Sequence, residues 1–172
     1  LSEDEILTTH TAEYWYQLKT QTLPRKAARA IGFEMTPQLV ERGRYIAHAT
    51  YECALYAQQY GVAMNVAGGT HHSFAGHGEG FCVFNDVCIA SNLLLNRGQA
   101  KKILVIDLDV HQGNGNASIM ADEPRVFVFS MHGAKNYPFR KQVSDLDIEL
   151  DNDTSDAEYL QILEDTLPRL IA

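Results

Sequence analysis

Cysteine is scarce in this 172-residue sequence: Cys53, Cys82 and Cys88 are the only three, and no two stand in CxxC spacing. An odd count without that spacing excludes a zinc knuckle and gives no sign of a disulfide framework, so a reducing compartment is expected. Long apolar runs are missing as well. No stretch approaches the roughly 20 residues that a membrane span needs, and the N-terminus, LSEDEIL, lacks the basic start of a secretory signal. A soluble, cytoplasmic protein without a membrane partner is therefore expected. Basic residues are in the minority, 14 Lys and Arg against 22 Asp and Glu. The resulting formal net charge of -8 argues against nucleic acid as a partner, because phosphate contacts rely on clustered Lys and Arg. Internal repeats and low-complexity tracts are absent. What is present, 45% hydrophobic and 21% charged residues, is ordinary globular composition for one domain over residues 1–172.

Ser2 with Glu5 makes a capping box before a short helix, and Thr11 is placed to cap a second through TAEYWYQLKT. Residues 21–35 read as a connecting segment whose Arg25, Lys26 and Arg29 form a solvated face. Thr36 and Pro37 start a long helix that Gly61 stops after Tyr60. Its stripe of Ile46, Ala47, Thr50, Ala54 and Ala57 suits close packing on a sheet. From Val62 onward, short apolar runs alternate with loops and helices: VAMNVA, DVCIASNLLLN, KILVIDLDV, NASIMAD and RVFVFSM. Such alternation predicts a parallel sheet in an α/β fold, with ligands beyond the carboxyl ends of the strands. The remainder reads as an acidic loop and then an amphipathic helix.

The run Ile103 to Ile106 reads as a strand buried on both faces. Asp107, Asp109 and His111 then follow at intervals of two, which in an extended strand places all three on one face. A lone DxD at a strand end serves equally as a cap for the next helix. One Asp and one His two residues apart are also spaced to share a metal ion, and buried carboxylates need pairing or coordination. A second constellation lies in GGTHHSFAGHGEGFCVFND, residues 68–86, where glycines precede adjacent histidines. Alone it reads as a surface loop. Beside DLDVH it makes a metal hydrolase site, with imidazoles to take and deliver a proton. His10 and His48 read as ordinary helical residues, while His77 and His132 read as loop or core.

GGTHH, GEGFCVFND and IDLDVHQGNG, in this order and spacing, resemble the histone deacetylase family, including bacterial acetoin-utilisation proteins and acetylpolyamine amidohydrolases. The close match covers about residues 62–132, and HGAKNYPFRKQVSDLDIEL looks most like bacterial members. The resemblance implies a three-layer arginase/deacetylase-like fold, a central parallel sheet flanked by helices. It implies that Asp109 and His111 are two of three protein ligands of a catalytic zinc, with iron(II) as the alternative metal. By the same resemblance His72 is the general base and acid, His71 orients and stabilises charge, and Asp107 hydrogen-bonds His71. Asn114 takes the place of the carboxylate that many members set beside the second histidine, which predicts a more acidic imidazolium at His72. Gly80 and Phe81 match the channel for the acyl-lysine stem, with Tyr137, or else Phe139, as its second aromatic wall. Cys82 matches a cysteine beside the pocket. Asp107, Asp109, His111, Ser130 and Met131 match a structural potassium or sodium site.

The family's third zinc ligand and its transition-state Tyr have no counterpart here, and Asp145, Asp147, Asp151 and Asp153 lie in the wrong context. Together with a start at Leu1 and an end inside a helical pattern, this reads as the N-terminal and middle part of a deacetylase domain, incomplete at its C-terminus. The expected activity is zinc-dependent hydrolysis of an N-acetylated amine, an acetylated lysine side chain or an acetylated small amine. Rival readings are a noncatalytic metal-binding or interaction fragment, which an oligomer would suit, an arginase-type ureohydrolase, and a cysteine hydrolase using Cys82.

Overall fold

The computed structural model describes residues 1–171. The N-terminal half is helical: α1 (Glu3–Ile6), α2 (Ala12–Lys19), α3 (Arg25–Ile31), α4 (Pro37–Tyr60) and α5 (Asp86–Asn96). Then come β1 (Ile103–Asp107), α6 (Asn114–Met120), β2 (Val126–Gly133), β3 (Leu146–Leu150) and α7 (Asp156–Ile171). The expected local signals are at work in the helical half. Ser2 and Glu5 close a reciprocal capping box on α1, Thr11 caps α2, and Thr36 with Pro37 opens α4, which Gly61 terminates.

The sheet is parallel with strand order β1-β2-β3, as the alternation of strands and helices predicts. Ile103 pairs with Val126 and Asp107 with Ser130, while Phe129 pairs with Leu146 and Gly133 with Leu150. Cys88 and Leu95 of α5 and Met120 of α6 pack with Val126 and Val128, joined by Ile103 and Val105. A larger cluster on the far side of α5 joins Ile89 and Leu93 to Ala47 and Tyr51 of α4 and to Tyr14, Trp15, Leu18 and Ile31. The layers therefore run sheet, α5 with α6, then α4 with the N-terminal helices.

Five expectations change. VAMNVA is not a strand: Asn65 turns the chain there, its side chain donating to the Ile46 carbonyl and accepting from Ala67 N–H, and no ladder partner lies beside it. The small-residue stripe of α4 packs on α5 rather than on a sheet. Residues 25–31, read as connector, form α3, stopped by Gly32 in the left-handed conformation at φ +88°. LDIEL, read as acidic loop, is β3. Strand β1, expected to be buried on both faces, is covered fully on one only, since Ile106 and, on β2, Phe127, the ladder partner of Leu104, remain exposed on the face opposite α5.

Candidate active site

Strand β1 ends at Asp107, so side-chain alternation cannot be what aligns the three polar residues that follow. Each carboxylate instead captures a backbone N–H two residues on. Asp109 N–H donates to Asp107 Oδ1 at 3.1 Å, and His111 N–H donates to Asp109 Oδ1 at 2.8 Å. These successive Asx turns coil the chain and bring His111 Nδ1 to 2.9 Å from the same Asp109 oxygen. The expected convergence is present, by turn chemistry rather than by strand geometry.

The tandem histidines meet this coil from the other side. His71 Nδ1–H donates to Asp107 Oδ2 at 2.6 Å, and His71 Nε2 is 4.0 Å from Asp109 Oδ1. His72 Nδ1 lies 2.7 Å from Asn114 Oδ1, and the two imidazole centroids are 4.1 Å apart. Both rings are buried, but their environments differ in sign. Burial depresses the proton affinity of His71 more than any other single influence, yet the hydrogen bond and charge of Asp107, with Asp109 and Asp86, carry its pKa above the usual value. For His72 burial and the neighbouring His71 charge win, and its pKa falls below the usual value despite the Asn114 hydrogen bond. Adjacent imidazoles pushed apart in this way suit two different roles. Asp109 stays ionised, because the hydrogen bonds from His111 and the His71 charge outweigh its own desolvation.

What holds the tandem-histidine loop was not legible from the motif. Asp86, wholly buried, accepts from Gly69 N–H, Thr70 N–H, the Thr70 hydroxyl and the Thr50 hydroxyl of α4. Asn85, which caps α5, donates to the Ser73 carbonyl and to Asn116. His10 is not in a helix but between α1 and α2, where its Nε2 accepts from Asn85 N–H and its Nδ1–H donates to the Phe74 carbonyl. An Asn-Asp pair opening a helix directly after the glycine-rich loop was the available signal.

His71, His72, Asp109, His111, Phe81 and Tyr137 line one cavity of about 440 Å3, with Gly80 and Cys82 in its wall. Gly80 must be glycine, since its φ is +55° and a Cβ would stand 2.6 Å from the His72 ring. Phe81 adopts a left-handed φ of +67°, costly for an aromatic residue. Helix α3 holds it there. Gly80 and Phe81 N–H donate to the carbonyls of Ala30 and Ile31, and the ring meets Phe33 edge-on at 5.2 Å. Tyr137 packs against His72 with centroids 4.9 Å apart, whereas Phe139 is 90% exposed and outside the cavity. Burial pushes the Cys82 thiol up to about 11, which disfavours a thiolate nucleophile. Ser130 is the ladder neighbour of Asp107, Met131 follows it, and Ser130 Oγ is 2.9 Å from the Nδ1 of buried His132.

Among the described residues no group of three or more His, Cys, Asp or Glu side chains is placed to hold a metal ion. Asp147 is engaged elsewhere, accepting from Gln112 and Ser144 N–H, and Asp145 accepts from Val128 N–H. Asp109 and His111 are the pair that fits zinc in donor type. Their oxygen and nitrogen converge on the cavity at a separation that legs of about 2 Å to one ion can span. Two donors are one fewer than the three protein ligands that a catalytic zinc takes.

The family model described as histone deacetylase domain matches residues 1–172. An uncharacterized protein of Picosynechococcus is 45% identical over 163 residues, covering 95% of this chain and 54% of that protein. Histone deacetylase 2 of Arabidopsis thaliana is 28% identical over 175 residues, covering 96% of this chain and 45% of its own length. The crystal structure of an HDAC homolog from Aquifex aeolicus superposes with a TM-score of 0.79 at 28% identity, covering 97% of this chain and 50% of that one. The chain thus spans about half the length of these relatives. No helix among the described residues is long and apolar enough to cross a membrane.

Proposed function

The chain belongs to the histone deacetylase family, and from that premise we propose that its site serves hydrolysis of the amide of an N-acetylated amine, acetyl-lysine foremost. The observation that carries this reading is the pair of adjacent imidazoles with opposed environments, facing the same cavity as the Asp109 and His111 donors. Phe81 and Tyr137 sandwich a thin alkyl stem and lead the acetyl group to the histidines. His72, neutral at rest, accepts a proton from the water that attacks the carbonyl carbon. It returns that proton to the amine nitrogen as the carbon–nitrogen bond breaks, leaving acetate and the free amine. His71, held charged by Asp107, faces the negative charge that develops on the carbonyl oxygen. Asp109 and His111 would hold zinc, or iron(II), whose Lewis acidity polarises the carbonyl and acidifies water. Asp107, Asp109, His111, Ser130 and Met131 would hold a structural potassium or sodium ion. The three cysteines are free, and we place the protein in the cytoplasm.

The test is acetate release from an acetyl-lysine peptide by the zinc-loaded chain, with and without a chelator. Chelator-sensitive release that falls about 10²–10⁴-fold in His72→Ala is the expected result. Release that ignores both the chelator and the substitution would sink the reading. The two-donor count favours one alternative, a noncatalytic metal-binding module, and stoichiometric zinc binding without turnover would select it.

A further inference from the structure

Glu79 stands where three segments meet, and its Oε1 accepts two hydrogen bonds, from Asn114 Nδ2 at 2.6 Å and from the Tyr137 hydroxyl at 2.8 Å. Its backbone has little freedom. Cys82 N–H donates to the Glu79 carbonyl at 2.9 Å across a tight turn with positive φ at both central residues, and the N–H groups of Gly80 and Phe81 are tied to the end of α3. The carboxylate is mostly buried, and its other oxygen lies 3.7 Å from His77 Nε2, too far for a hydrogen bond.

A carboxylate only accepts. Asn114 must therefore turn its NH2 toward Glu79 and its oxygen toward His72, where that oxygen in turn can only accept. The hydrogen on His72 then sits on Nδ1, and the neutral ring carries its lone pair on Nε2, the atom away from Asn114. We propose that Glu79, acting through the Asn114 amide, is the positioning residue that holds His72 in this single tautomer. The role rests on the reading of His72 as the base, since the tautomer decides whether Nε2 can take a proton. The same oxygen anchors Tyr137 against the His72 ring, so one carboxylate sets both the base and a wall of the channel. Without Glu79 the amide is free to turn over and present its NH2 to Nδ1, which moves the hydrogen to Nε2 and removes the lone pair from the working end.

The tautomer is read from the side-chain ¹⁵N signals of His72 in the metal-free chain at a pH where the ring is neutral. Wild type shows Nδ1 protonated and Nε2 unprotonated. Glu79→Gln keeps the shape and the fold, but its amide meets Asn114 with either end, so both nitrogen signals move toward an average of the two tautomers. In the swapped double variant, Glu79→Gln with Asn114→Asp, the residue beside His72 again only accepts, and the single Nδ1-protonated pattern returns. An unchanged pattern in Glu79→Gln, or a mixture that persists in the double variant, would overturn the proposal. Acetate release separates this from the functional reading: the predicted signals without chelator-sensitive turnover remove the catalytic role of His72 and leave its tautomer control standing.

Discussion

His10 shows how a residue without a motif becomes part of the site. It is 3% exposed, and both ring nitrogens are committed, Nε2 accepting from Asn85 N–H and Nδ1 donating to the carbonyl of Phe74. A second ring proton would face the Asn85 N–H, and burial lowers the pKa from 6.5 to about 4. The unfolded chain therefore takes up a proton first as pH falls. The stability that neutral His10 preserves is complete above pH 6.5, declines between 6.5 and about 4, and is fully lost below that. The ceiling of the effect is about 3 kcal/mol. Urea midpoints measured from pH 7 to pH 4 should fall in the wild type and lose most of that dependence in His10→Gln. Equal slopes in the two proteins would remove His10 as the titrating group. From sequence His10 was indistinguishable from His48, which lies half-exposed on α4 beside Glu52. What separates them is 64 residues of chain folded back onto one imidazole.

The helix that follows the Asp109–His111 coil, α6, explains the second glycine of HQGNG. A Cβ on Gly115 would stand 2.6 Å from the His71 carbonyl oxygen and closer still to that of Ser73. Both obstacles are backbone, so α6 presses directly on the tandem-histidine loop, a contact sealed by Asn116 N–H donating to the His71 carbonyl. Gly115→Ala should cost about 3 kcal/mol in urea unfolding, because overpacking here cannot be relieved by a rotamer change. Gly98→Ala is the control: φ is +66° but nothing lies within 4 Å. That substitution should cost only about 1 kcal/mol, from the backbone conformation alone. Similar costs at the two positions would refute the close-approach account. Elements with strong local signals, such as α4 with its cap, proline and terminal glycine, were readable from sequence. Those whose identity depends on a distant partner were not. LDIEL becomes β3 because β2 offers it a ladder, VAMNVA has no such partner, and α3 hid behind three basic residues although Pro24 and Gly32 bracket it.

At the scale of the whole molecule, the site forms where the helical half meets the carboxyl end of the sheet. The loop between α4 and α5 brings the two histidines and Phe81, the end of β1 brings Asp107, Asp109 and His111, and the segment after β2 brings Tyr137. The motifs named these residues because each is local. The supports that set their geometry act across the fold: Glu79 and Asp86 stand within GEGFCVFND, but what they hold, Asn114, Tyr137 and the Gly69–Thr70 turn, lies elsewhere in the chain, as does the α3 end that fixes Phe81. The same assembly leaves part of the sheet bare. On β1 the face of Ile103 and Val105 lies against the helices, whereas on the other face of the sheet Ile106 of β1 and Phe127 of β2 are each 39% exposed. No strand pairs with the outer edge of β1 among the described residues. For the 172-residue chain by itself, which spans about half the length of its relatives, an apolar face joined to an open parallel edge favours association. Sedimentation velocity should therefore show association that grows with concentration. Phe127→Lys should suppress it while changing stability by no more than about 1 kcal/mol, as expected for a partly exposed site. A monomer at every concentration, or association that survives the lysine, would mean that this face is not where copies meet. The cavity lined by His71, His72, Asp109 and His111 opens at the strand ends rather than on that face, so suppression of association should leave acetate release in the assay proposed above unchanged.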